Sequence, residues 1–394
     1  MTPKDELQRR IKGLQDKMNA SACEAVLIVQ NVDLYYFSGT MQNARLYIPA
    51  TGEPVLFCRK SISRATHECP WNIVSINNYR YIPDKLNDLG RQLPGRLGLE
   101  YDVLTVADYL SVKRVFPNAE LLDASNWIAD LRATKSPFEI GIIKKAGRSM
   151  ADAFAYVPDL IKQGRSELAV AAGVERVLRD QGHQGYVRMR GFNQEFFYGH
   201  FLSGPNGCIA GFNDGVTAGM GMGAFFPQGP GERIIQIDEP VFLDYVGVFD
   251  GYNIDQTRLY VVGVLPDKLK DAFQVALEIQ ETLINQVKPG AIASDLYDLA
   301  IGIADRAGLS QNFMGYGSER VKFVGHGVGL ELDERPVIAK GFNVELEAGM
   351  VIALEPKFVI PGMGIAGIEN TWLVTRSGVE KITILPDDLV VIPH

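Results

Sequence analysis

The chain has 394 residues, more than the roughly 250 to 300 at which a single hydrophobic core stops growing, so two domains are expected. With 46% apolar and 22% charged residues it is neither a mostly disordered nor a fibrous chain. A formal net charge of -8 gives an acidic surface, the wrong sign for following a phosphate backbone, so nucleic acid is not an expected partner.

The first ten residues, MTPKDELQRR, are charged early and contain no apolar signal-like core, and nowhere do 18 apolar residues run together. Neither secretion nor membrane spanning is expected. Cys23, Cys58, Cys69 and Cys208 are scattered with no CxxC pair, which fits reduced thiols in a cytoplasmic protein.

Leu7, Ile11, Leu14 and Met18 recur at helical spacing, and the apolar run 25–29 suits a buried strand. Residues 46–57 read as two strands around Thr51-Gly52-Glu53-Pro54, with further short strands at 97–99 and 121–122. This part is an α/β domain. The chain turns polar at 131–136, and Pro137 with Glu139 suits the first turn of a new helix. Domains are therefore expected at 1–130 and 131–394.

In the second domain, Lys162-Gln163-Gly164, a helical stretch and Gly182 match Lys288-Pro289-Gly290, a helical stretch and Gly308. In each copy one Gly precedes the helix and one caps its end, which predicts a duplicated α/β unit.

Residues 241–249, Asp250-Gly251 and 252–260 form a hairpin signal, because Asp-Gly favours a two-residue type I′ turn. Pairing Phe249 with Tyr252 sets Val246 opposite Asp255 and puts Asp244 on the same face as a diagonal neighbour of Asp255. Carboxylates on backbones about 7 to 8 Å apart can reach a shared metal pair. A solvated face also carries two such acids, so more donors are needed. They occur as His326 within GHGVG (325–329), as Glu355 ending the apolar run 350–354, and as Glu369 inside the strand-like 367–374. Buried acids in apolar strands call for a cation, an arginine or a proton.

The order Asp, Asp eleven residues on, HGVG, Glu-Pro and Glu resembles the creatinase and prolidase superfamily of metallopeptidases, family M24, which includes Xaa-Pro aminopeptidases and dipeptidases. NVDLYYFSGT (31–40) resembles its N-terminal domain, and LRATKSPFEIGIIKKA (131–146) resembles the start of its catalytic domain. The resemblance implies a creatinase-like α/β domain followed by a pita-bread catalytic domain built from a duplicated αβ half. It also implies that Asp244, Asp255, His326, Glu355 and Glu369 hold two divalent metal ions, with Asp255 and Glu369 bridging them. Such an oxygen-rich set suits Mn, Co, Fe or Zn. Glu355 is the implied proton shuttle, and a homodimer is the implied assembly.

Three positions depart from the family. Its usual histidine is Gly211 here, a second histidine after HGVG is replaced by Asp333, and its frequent arginine before the last ligand is Gly367. His200 is read as a replacement proton-transfer group, with Arg190 and Asp333 touching substrate and Arg188 nearby. The expected function is metal-dependent hydrolysis of the bond before proline. A hydrolase or lyase acting on a small non-peptide molecule, and a non-catalytic metal- or peptide-binding relative, are the alternatives.

Overall fold

The computed structural model describes residues 1–393, and the chain divides into two compact units, Met1–Arg132 and a second beginning at Ala133. In the first unit the helix Lys4–Ala20 buries Leu7, Ile11, Leu14 and Met18, the four apolar positions that share one helical face. Strand β1 (Ala25–Ile28) follows it. With β2 (Ala44–Pro49), β3 (Val55–Cys58), β4 (Asn72–Ser75), β5 (Arg96–Leu99) and β6 (Glu120–Asp123) it forms a six-stranded sheet in the order β4-β3-β2-β1-β5-β6. β1, β2 and β3 pair antiparallel, while the outer pairings to β4, β5 and β6 are parallel. Residues 31–38 of the motif noted above form the helix Asn31–Ser38, capped by the Gln30 side chain and closed by Gly39 at φ 75°.

In the second unit Ser136 and Glu139 form a reciprocal capping box that starts the helix Pro137–Phe154. Three sheets follow. β7 (Gly199–Ser203), β8 (Pro240–Phe249), β9 (Tyr252–Val262) and β17 (Val390–Ile392) run in the order β17-β9-β8-β7. β10 (Phe323–Gly327), β11 (Glu334–Ala339), β12 (Val351–Leu354), β15 (Asn370–Val374) and β16 (Val379–Lys381) run in the order β11-β10-β12-β15-β16. β13 (Lys357–Ile360) and β14 (Gly364–Gly367) make a separate ribbon.

The internal repeat is visible as two 14-residue helices, Glu167–Asp180 and Ala293–Arg306. Each lies between glycines in the left-handed region, Gly164 at 83° and Gly182 at 97° in one copy, Gly290 at 86° and Gly308 at 71° in the other. The second unit is therefore a duplicated α/β body. Its core joins Phe242, Leu259 and Val261 of the long hairpin to Phe273, Ile279, Ile352 and Phe358.

Candidate metal centre

The β8–β9 hairpin turns at Asp250 (φ 49°) and Gly251 (φ 88°), which sets Phe249 opposite Tyr252 and Val246 opposite Asp255. Asp244 then sits across from Thr257, two register positions from the Val246–Asp255 pair, so both acids lie mid-strand on the same face of the hairpin. A second sheet supplies the other donors. His326 lies in β10, between Val337 of β11 and Ala353 of β12. Glu355 directly follows β12, and its N–H donates to Val324 O at 3.0 Å. Glu369 lies between β14 and β15 and forms an antiparallel bridge with Thr257, so the two sheets meet at the acids themselves.

The five residues named from the sequence line one cavity of about 600 Å³. His326 Nε2 stands 3.8 Å from Asp255 Oδ2, 3.5 Å from Glu355 Oε1 and 4.0 Å from Glu369 Oε1. Ligand atoms of Asp255, His326 and Glu369 lie within 4.8 Å of one another. Donors bound about 2.0 to 2.2 Å from a shared ion are about 3 to 3.5 Å apart, so a small contraction would seat a cation among them. The Oε1 atom of Glu369 is buried with no hydrogen-bond partner among the described residues, and an orphaned carboxylate oxygen of this kind fits that place.

Lys357 is the residue that the sequence reading missed. Its ammonium is buried and donates to Asp244 Oδ2, Glu355 Oε2 and Glu369 Oε2, each at 2.8 Å. The signal was available in part: Lys357 stands two residues after Glu355, and alternate residues of extended chain share a face. Thr257 and Thr371 were also missed. The Thr257 hydroxyl donates to Glu369 Oε2 at 2.9 Å, and Thr371 holds the Asp255 backbone.

The electrostatics follow from burial and crowding. Burial, reinforced by Glu369 and Asp244, pushes Asp255 well above the usual carboxylate range. Burial likewise drives Glu369 up to about 8, even though the Lys357 ammonium opposes it. Burial would raise Asp244 too, but Lys357 and then His200 outweigh it and hold this carboxylate low. For Lys357 burial disfavours the charge, yet Asp244, Glu355 and Glu369 together hold its pKa well above the ordinary value. His326 is raised because Asp333, Glu355 and Glu369 overcome its burial. Two of the acids therefore resist ionising together, and a divalent cation relieves that repulsion.

Residues 141–376 match the model of metallopeptidase family M24, well over half of the chain. The chain belongs to metallopeptidase family M24. Residues 10–134 match the creatinase/prolidase N-terminal domain, in keeping with the α/β sheet there. Relatives include the Xaa-Pro dipeptidase of Pyrococcus horikoshii, 28% identical over 388 residues, covering 98% of this chain and 100% of that one. The Xaa-Pro dipeptidase of Lactobacillus delbrueckii subsp. lactis is 27% identical, covering 96% and 98%. Among solved structures, the prolidase from Pyrococcus horikoshii OT3 superposes with a TM-score of 0.82 at 25% identity, covering 97% of this chain and 100% of that one. The Xaa-Pro dipeptidase from Bacillus anthracis gives 0.83 at 25% identity, covering 98% and 99%. Membership of M24 implies a centre for divalent metal ions. No described helix of this M24 chain is long and apolar enough to cross a membrane.

The remaining named residues fall in different places within the M24 unit. His200 is buried in the cavity wall opposite Asp244, with Nε2 unpartnered, and burial first, then Lys357, lower its pKa. Asp333 also lines the cavity, its Oδ1 lying 3.4 Å from His326 Nδ1. Arg190 is not part of that lining and instead pairs with Glu331 at 3.4 Å, while the Arg188 carbonyl accepts from Leu332 N–H. At Gly211 an added Cβ would come within 2.4 Å of Ala218 Cβ, so this backbone leaves no room for a histidine there.

Proposed function

We propose that the chain is a metal-dependent Xaa-Pro peptidase that hydrolyses the bond before proline, with the region from residue 131 onward as its catalytic domain. The observation that carries this reading is the convergence of Asp244, Asp255, His326, Glu355 and Glu369 on one cavity of an M24 fold. Similarity to proteins named Xaa-Pro dipeptidase favours a peptide substrate over a small metabolite or a purely binding role. Arg320 and Lys322 at the cavity mouth are placed to attract the free carboxylate of a dipeptide.

Asp255, His326 and Glu369 would hold a divalent ion, with Mn, Co, Fe and Zn all suited to the donors. A bound ion supplies Lewis acidity toward a carbonyl oxygen and acidifies water. Glu355, with Oε1 on the His326 side, is the group placed to accept a proton and pass it to the leaving nitrogen. His200, kept neutral by burial, offers its unpartnered Nε2 to substrate as a donor or acceptor. Asp333 beside Nδ1 orients the His326 ring so that Nε2 faces the carboxylates. Phe196, Phe323 and Phe342 give the cavity the apolar surface that a proline ring needs.

A cytoplasmic homodimer completes the proposal. Purified chain loaded in turn with each of the four metals and incubated with Xaa-Pro dipeptides, Xaa-Pro-extended peptides and matched Xaa-Ala controls tests the function. Proline-dependent release is the expected result. Equal cleavage of the controls, or none under any metal, would refute the reading.

A further inference from the structure

A second metal ion would need Asp244 together with Glu369 on the side away from His326. That place is filled. Lys357 puts its ammonium 2.8 Å from Asp244, Glu355 and Glu369, and an ammonium has three hydrogens to give, so every donor is used.

We propose that Lys357 is a built-in cation standing in for one of the two metal ions, so that the chain binds a single divalent ion, at Asp255, His326 and Glu369. The inference rests on the reading of this cluster as a metal centre, and four independent features carry it. The carboxylates are divided by atom: Oε2 of Glu355 and of Glu369 accept from Lys357, whereas Oε1 of each faces His326 at 3.5 and 4.0 Å. Among the described residues the fully buried acid oxygen of this group without a hydrogen-bond partner, Glu369 Oε1, is on the His326 side, where the single ion belongs.

The lysine stem is also built in. Lys357 is 2% exposed and its ammonium lies 5.7 Å from the Phe242 ring centroid, so it cannot leave for water without unpacking the wall. Directly across the β13–β14 ribbon stands Gly367, where an added Cβ would meet Lys357 Cγ at 2.7 Å. The same Cβ would meet Lys357 Cα and Pro356 O at 2.8 Å, so the close approach of the ribbon backbones requires glycine at 367, and its bare backbone leaves the stem its space. Charge points the same way. Four ionised carboxylates with one ammonium and one divalent ion leave a charge of about −1, whereas a second divalent ion would carry the buried cluster to about +1 and set it against the ammonium already held by Asp244 and Glu369.

The test counts ions. Full-length chain, stripped with a chelator and reloaded with excess Mn²⁺, is desalted and its metal content measured per chain. One ion is expected, giving the six-line resonance of isolated Mn²⁺ rather than the multiline spectrum of an exchange-coupled pair. Lys357→Gly, or Lys357→Ala should the glycine variant misfold, vacates the second place and is expected to take up two. Asp244→Asn is expected to keep one ion, and Asp255→Asn to lose it. Two ions in the unaltered chain, or loss of the ion in Asp244→Asn, would overturn the single-ion assignment while leaving the metallopeptidase reading intact. No ion in the unaltered chain under Mn²⁺, Co²⁺, Fe²⁺ or Zn²⁺ would overturn both.

Discussion

The Thr371 hydroxyl accepts the Asp255 N–H at 3.0 Å and donates to the Asp255 carbonyl at 2.8 Å, locking β9 to β15 at the point where the two sheets of the second unit meet. Thr371 is fully buried, so water cannot replace either bond. Thr371→Val keeps the shape and strands the Asp255 amide, which costs about 1 to 3 kcal/mol in denaturant unfolding. Because Asp255 is then free to turn, divalent-ion affinity should fall about 10- to 100-fold. Thr371→Ser should recover most of both. Unchanged metal affinity in the valine variant would show that this pair is structural only.

Glu355 is held from two sides, Oε2 by Lys357 and Oε1 near His326. Glu355→Gln preserves size but cannot take up a proton. A fall in kcat of about 10²- to 10⁴-fold, with the unfolding transition nearly unmoved, is expected for a general acid–base. A variant retaining most of its kcat on Xaa-Pro dipeptides would assign the proton transfer elsewhere.

Chelation should abolish peptidase activity and readdition of a divalent ion restore it. Removal also releases repulsion among Asp255, Glu355 and Glu369, which face one buried imidazole. An ion present at about 100 times its dissociation constant contributes about 2.7 kcal/mol, so the stripped chain should melt roughly 5 to 10 °C lower. Equal melting temperatures with and without metal would contradict ion binding at this cluster.

His183 provides a pH test away from the centre. It is 1% exposed, its Nε2 bonds the Val246 carbonyl at 2.9 Å and its Nδ1 accepts from Gly185 N–H at 2.8 Å, so only the neutral Nε2–H tautomer satisfies both. Burial is the main reason its pKa falls from 6.5 to about 4. The unfolded chain then binds a proton that the folded chain refuses. Stability from this group is complete above pH 6.5 and is lost as pH falls toward 4. The stability gap between the unaltered chain and His183→Gln should shrink by about 2 to 3 kcal/mol between pH 7 and pH 4.5. A gap independent of pH would mean that His183 titrates normally.

Several features were legible in the chain because they depend on neighbours in sequence. Asp250-Gly251 demands a tight turn, and the β8–β9 register with Val246 against Asp255 follows from it. Ser136, Pro137 and Glu139 start their helix with bonds made inside one turn. The repeated Gly pairs mark two helices of equal length because a left-handed residue ends a helix wherever it falls. Arg190 shows the limit of such reading. Its sequence neighbours suggested a place near substrate, yet the fold pairs it with Glu331 outside the cavity lining.

By itself the sequence determined the hairpin register, the helix starts and stops and the order of acids and histidine that marks an M24 chain, since each is written in short-range chemistry. Tertiary structure alone decided that Lys357 faces inward. Its spacing of two from Glu355 hints at a shared face but not at burial, and only the meeting of β8, β12, β13 and β14 surrounds its ammonium with Asp244, Glu355 and Glu369. Charges that lie far apart along the chain interact as the inverse of their distance in space, and that distance exists only once the sheets have packed.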